Sequence, residues 1–257
     1  MNYWHETVAV AQRILIELGR RRRSLVFWGI FPISVLLLNG YILAERAQLS
    51  MAQAFENAAP STLAGAALFF SCLGGTVATV VGEREQQTLK RLFISPLSGI
   101  SYFLGIFCAH SAIAGVQAVL VYAIAACWGA KFQGSLVLGI LIILLSIMAY
   151  VGVGFILGTQ FARRTEDVNA LVAAFGVPLL ILGGAFLPTS LFPETLLDIA
   201  QFNPIYHINE ALLAVWANGA GLADIREHFR FLAVFALIMV VAGWLSYQRM
   251  LRVERRL

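Results

Sequence analysis

The densest chemistry in the chain lies between two long apolar runs, in the stretch Gly82 to Pro96: Gly-Glu-Arg-Glu-Gln-Gln-Thr-Leu-Lys-Arg-Leu-Phe-Ile-Ser-Pro. Mixed charges at this density, with no histidine, cysteine or metal-ligand spacing among them, suit recognition of another surface better than bond chemistry. Read as a helix, Leu89, Leu92 and Phe93, with Glu85 one turn earlier, fall at spacings of three and four. Arg84, Gln87, Lys90 and Arg91 lie mostly elsewhere, and Pro96 ends the pattern. A short amphipathic helix joined at both ends to membrane helices can carry a push from a soluble partner into the bilayer; a solvated loop is the other reading of the same periodicity.

Elsewhere the chemistry is sparse. No G-x-x-x-x-G-K-[ST] loop is present to cradle nucleotide phosphates. His5-Glu6 lacks the second histidine of H-E-x-x-H, and His207, followed by Asn209 and Glu210, has no partner at helical spacing. No serine sits in a G-x-S-x-G elbow. Cys72, Cys108 and Cys127 lie in or beside apolar runs without a C-x-x-C pair and read as small apolar residues. Inside the apolar runs only His110, Asn39, Gln117 and Gln160 break the pattern, whereas ion-coupled carriers keep ionisable groups at mid-depth. No catalytic residue, metal ligand or cofactor site is expected on this chain, and the scarcity of ionisable groups in the spans argues for energy supplied from outside the bilayer.

The elements that would position the charged stretch follow from composition. Of 257 residues, 60% are hydrophobic and 12% charged, with mean hydropathy +0.80, values that mark an integral membrane protein. Runs near or above the roughly 20 residues that cross a bilayer as helix predict an all-α integral membrane protein with six transmembrane helices, an N-terminal interfacial helix and short re-entrant helices before the last span. The alternating ten-residue segments of a barrel are missing.

In order, residues 1–23 form the interfacial helix and basic anchor, with Trp4, Val8, Ala11, Leu15 and Leu18 on one face and Arg20 to Arg23 at its end. The polar first twenty residues do not read as a cleavable signal, so the first apolar run is expected to stay as an anchor. Spans are expected at 24–44, 62–81, 101–128, 136–161, 169–187 and 230–247, with a polar link at 45–60 and the charged helix at 82–96. Residues 188–218, punctuated by Pro188, Pro193 and Pro204, form pieces too short to cross. Gly154 and Gly158 make a G-x-x-x-G pair, expected to pack helices within the chain, with a dimer face as the alternative. Of eighteen Lys and Arg, fourteen fall in the N-terminal segment, the 82–96 stretch, the 162–168 loop and the C-terminal tail. The pI near 9.2 therefore reflects orientation, not nucleic-acid binding, and both termini are expected in the cytoplasm.

Two segments carry a family resemblance. Glu83-Arg84-Glu85-Gln86-Gln87-Thr88-Leu89-Lys90-Arg91-Leu92, closing on Ser95-Pro96, resembles the E-x-E-x-G-T-L-E-x-L-x-x-[TS]-P signature of ABC-2 type transporter permeases. Gly184-Ala185-Phe186-Leu187-Pro188, with Phe202-Asn203-Pro204-Ile205-Tyr206, resembles their second signature, the break after span five and its N-P-[LI]-x-[YH] helix. Gln87 stands where the family has glycine, Lys90 where it often has glutamate, and Leu213 where many members carry arginine. The resemblance implies a permease half that pairs with a second copy, as a homodimer, and with two cytoplasmic ABC ATPase chains that carry ATP and magnesium. It implies a plasma (inner) membrane location and export of a hydrophobic or amphiphilic cargo such as a drug, lipid or lipid-linked glycan. By that likeness Glu83, Arg84, Glu85, Thr88, Leu89, Lys90, Arg91, Leu92 and Phe93 belong to the ATPase-coupling helix, and Pro188, Pro193, Asn203, Pro204 and Tyr206 to the re-entrant segment. An ion-coupled carrier or channel and a non-transporting scaffold are the rival readings.

Overall fold

The computed structural model describes residues 3–20, 22–86 and 97–254. Among them every regular element is helical. The chain opens with α1 (Tyr3–Arg20) and α2 (Arg22–Arg46), then α3 (Met51–Glu85), α4 (Gly99–Cys127), α5 (Leu136–Phe161) and α6 (Thr165–Leu182). Short α7 (Glu194–Ala200) and α8 (Pro204–Asn218) precede the last helix, α9 (Arg226–Glu254). Six of these, α2 to α6 and α9, are long and apolar enough to cross a membrane.

The fold is organised around α3. Leu63, Ala64, Ala67, Leu68, Cys72, Val77 and Val80 are all fully buried, as expected of a helix that is apolar all round. Residues 45–60, expected as a polar link, are largely helical instead. Ser50 caps α3 in a reciprocal box with Gln53, and the helix runs on without a break. Pro60 lies in that run and has no N–H to donate. From Thr62 to Gly74 the backbone is π-helical, and the Tyr150 hydroxyl of α5 donates to Ala64 O within this stretch at 2.9 Å.

The outer helices leave apolar residues facing outward, including Phe27, Ile30 and Leu38 on α2, Phe175 and Ile181 on α6, and Val234, Leu237 and Val241 on α9. Lipid or another chain must cover them. One close crossing joins α5 to α9. A Cβ added to Gly152 would sit 2.6 Å from Met239 C and O, and one on Gly243 would sit 2.8 Å from Gly152 O.

α1 packs along α4 through Thr7, Val10, Ala11 and Ile14, all buried, so its inner stripe is rotated from the expected one and Trp4 remains exposed. The rotation has a local cause. The Glu6 carboxylate accepts from Ser98 N, the N-cap residue of α4, at 3.2 Å, and Ser101 Oγ donates to Tyr3 O at 3.3 Å. These bonds, with Gly105 allowing Val10 to approach, set which face turns inward. Hydrogen bonds from Ser101 and Ser98 hold the Glu6 carboxyl below the usual carboxylate range, so it is ionised at neutral pH.

Candidate functional site

The charged stretch is described as far as Gln86. Thr88, Leu89, Lys90, Arg91, Leu92 and Phe93 lie outside the described residues. The last turn of α3 presents Glu83, Arg84 and Glu85, and successive helical residues point about 100° apart. The three side chains therefore reach three different neighbours.

Glu83 is buried, at 5% exposure. One carboxylate oxygen accepts from Arg13 Nη2 of α1 and the other from the Tyr102 hydroxyl of α4. A carboxylate this deep in a protein needs such partners, because desolvation alone would disfavour its charge. Tyr102 in turn stacks on Tyr247 of α9, ring centroids 5.3 Å apart. Tyr247 belongs to an aromatic group with Phe103, Phe155 and Trp244.

Arg84 Nη1 donates to Gly158 O and Ala162 O, both at 3.2 Å, where the end of α5 leaves carbonyls without helical partners. Glu85 accepts from Thr165 N at 3.1 Å and from the Thr165 hydroxyl, placing negative charge at the N-terminus of α6, where the helix dipole favours it. Asp167 completes that end by accepting from Arg163 N and Arg164 N, each at 2.9 Å. Thus α1, α4, α5 and α6 are all tied to one turn of α3.

The second predicted segment lies at the opposite face. Gly184 has φ +77°, a backbone conformation that favours glycine. Asn203 caps α8, accepting from Ile205 N at 3.0 Å while its amide donates to Leu179 O of α6 at 2.7 Å, and Pro204 takes the first helical position. Asn209 donates to Gly184 O at 3.3 Å, and Thr189 to Glu210 at 2.7 Å. The Pro188 carbonyl accepts from Leu191 N, and Pro193 is the N-cap of α7. Tyr206 sits edge-on to the rings of His207 and His228. Asn203→Ala removes both the cap and the tether to α6. It is expected to cost about 1–2 kcal/mol of stability, read as a lowered unfolding midpoint in detergent, with Asn203→Asp recovering the cap alone.

Gly154 and Gly158 face α3 within the chain: added Cβ atoms would lie 2.8 Å from Thr76 Cβ and 3.1 Å from Val80 Cβ. Gln117 is buried, its Oε1 2.6 Å from Ser71 Oγ and its Nε2 donating to Trp28 O at 3.0 Å, and His110 is buried against Gly75. Gln160 donates to Ser246 O at 3.2 Å. Among the described residues no group of three or more His, Cys, Asp or Glu could hold a metal ion.

The sequence pattern of ABC-2 family transporter proteins matches residues 43–245, most of the chain and all of α3 to α8. The chain belongs to the ABC-2 transporter family. Among similar proteins of this kind, the probable multidrug ABC transporter permease YbhR of Escherichia coli K12 is 28% identical over 68% of this chain and 47% of its own length. The inner membrane transport permease YhhJ of Escherichia coli K12 is 26% identical over 60% of this chain and 41% of its own. The linearmycin resistance permease protein LnrN of Bacillus subtilis 168 is 25% identical over 71% and 48%. The matched part spans less than half the length of each of these relatives. With six apolar helices and this family, the chain is a multi-pass membrane protein. In this ABC-2 chain Arg13, Tyr102 and Thr165 join the site without any motif to mark them; the one local sign was an arginine in mid-helix, ten residues before the basic run ends at Arg23.

Proposed function

We propose that this chain is the membrane-embedded permease subunit of an ABC exporter in a plasma (inner) membrane, with both termini in the cytoplasm. It pairs with a second copy of itself and with two ATPase chains, which bind the ATP and magnesium. The observation that carries the reading is the fan of Glu83, Arg84 and Glu85 onto α1 with α4, α5 and α6. A displacement delivered to the segment that follows Gln86 enters a joint already bolted to four helices. The bolts are hydrogen bonds to charged groups, roughly twice as strong as neutral ones, so a displacement of this turn is passed to the helices tied to it. Glu83, Arg84 and Glu85 hold that joint, while Thr88, Leu89, Lys90, Arg91, Leu92 and Phe93 meet the ATPase, the leucines and Phe93 by apolar contact and the charges by register.

The cargo is hydrophobic or amphiphilic. Support comes from the scarcity of charge within the spans and from relatives named for multidrug transport and linearmycin resistance. The test is reconstitution with a soluble ATPase bearing a phosphate-binding loop. Vesicles holding both proteins are expected to move cargo on ATP addition, and vesicles holding this chain alone to move none. Leu92→Asp is expected to abolish export while membrane insertion is retained. Ion-gradient-driven transport by the chain alone, or full export by the Leu92→Asp variant, overturns the proposal.

A further inference from the structure

At the face opposite α1, two imidazoles meet edge to edge. His207 of α8 and His228 of α9 approach through their Nδ1 atoms at 2.9 Å, and His207 Nε2 lies 2.8 Å from Gln201 O. A carbonyl only accepts, so the proton of neutral His207 is on Nε2 and its Nδ1 is a bare acceptor. The bond between the rings is then a donation from His228 Nδ1–H. Phe231 of α9 stacks on His207 at a centroid distance of 3.9 Å, and Tyr206 stands edge-on to both rings.

We infer that His207 and His228 form a proton-binding latch between α8 and α9, which one added proton tightens and a second releases. With one extra proton, held on His228 Nε2 or on His207 Nδ1 with the hydrogen of His228 moved to its Nε2, a single N–H still lies between the two Nδ1 atoms and the bond becomes charge-assisted, hence shorter and stronger. With two, both Nδ1 atoms carry hydrogen, no acceptor remains, and two cations face each other at hydrogen-bond distance. The latch therefore holds through neutral and mildly acid conditions and opens only at the second protonation.

The surroundings are consistent with titration there. Glu210 of α8, which accepts from Thr189, favours the protonated His207 ring, and Glu227 stands next to His228 on α9. Arg230, one turn after Glu227, shares a groove with it and Phe231. The Phe231 face also favours an imidazolium. Burial holds His207 below its ordinary range against these groups, so the neutral arrangement is the one present near pH 7. Only the compartment that supplies the proton rests on the orientation proposed above, which makes it the exterior.

Nanodiscs expose both faces, so the test is independent of that orientation. The full chain, labelled with 15N-histidine, has four histidines to assign. Near pH 7 the ring signals are expected to show His207 as the Nε2–H tautomer and His228 as the Nδ1–H tautomer. On acidification the pair is expected to take up protons in two steps at least about one pH unit apart, with amide-exchange protection of α8 lost at the second step. His228→Phe should leave His207 with a single step. His228→Gln, whose amide NH2 can donate to the bare Nδ1 of neutral His207 and whose Oε1 can accept from Nδ1–H once His207 is protonated, should preserve α8 protection into acid. Independent titration with midpoints unchanged in either variant, a proton on His207 Nδ1 near pH 7, or α8 protection indifferent to the second step overturns the latch.

Discussion

Arg13→Ala is expected to lower the unfolding free energy by about 3 kcal/mol, the low end for breaking a buried ion pair. The loss comes less from the missing contact than from what stays behind, a carboxylate at 5% exposure with the Tyr102 hydroxyl as its remaining partner. The low end applies because the Arg13 side chain is itself one-third open to solvent, at 34%, and water can follow the vacated guanidinium. Glu83→Gln in the same chain removes the stranded charge and should recover part of the loss. A double-mutant cycle on unfolding in detergent therefore gives a coupling energy of clear sign. Single and double variants of equal stability, with Arg13→Ala itself neutral, would show that the pair contributes nothing. On the assembly proposed above, Arg13→Ala should also depress transport more than ATP hydrolysis, since α1 leaves the joint at Glu83.

Gly152→Leu is the second large effect, about 3 kcal/mol or more, at the top of the range for overfilled sites. Its Cβ would fall 2.6 Å from the backbone of Met239, and Gly243 answers from α9 with its own approach to Gly152 O at 2.8 Å. Backbone cannot rotate out of the way as a side-chain tip can, so α5 and α9 must separate along their length. The packed aromatic group of Phe103, Phe155, Trp244 and Tyr247 shares that interface, and loss of tryptophan fluorescence structure should accompany the fall in stability. Gly152→Ala is the graded control. A Gly152→Leu variant as stable as the parent would mean that this crossing is looser than the distances imply.

Much of the architecture was legible because the signals are local. Span length is a property of uninterrupted apolar residues, and the break after span five is written in Gly184, Pro188, Pro193 and Pro204. The 45–60 stretch was misread on its polarity, although Ser50 and Gln53 stand at capping-box spacing; helix signals were present and outweighed by composition. The partners of Glu83, Arg84 and Glu85 were illegible for a different reason. Adjacent residues on one helix face in three directions, and which helix stands in each direction depends on packing that only the assembled bundle sets. The same holds for His207 and His228, brought together by a turn between two helices, and for α1, whose inward face is chosen by Glu6 and Ser98 in preference to its most apolar stripe.

The reach of α3 has one more implication. Its 35 residues at 1.5 Å each extend to about 50 Å, against a hydrocarbon slab of roughly 30 Å. The surplus must be taken up by leaning, or by standing proud of the headgroups on one or both sides. A beam of that kind changes its lean when the slab thins or thickens, carrying the Glu83 turn sideways as it does. Acyl-chain length thereby becomes a variable that sets the stance of α3 and the position of the end proposed to be cytoplasmic.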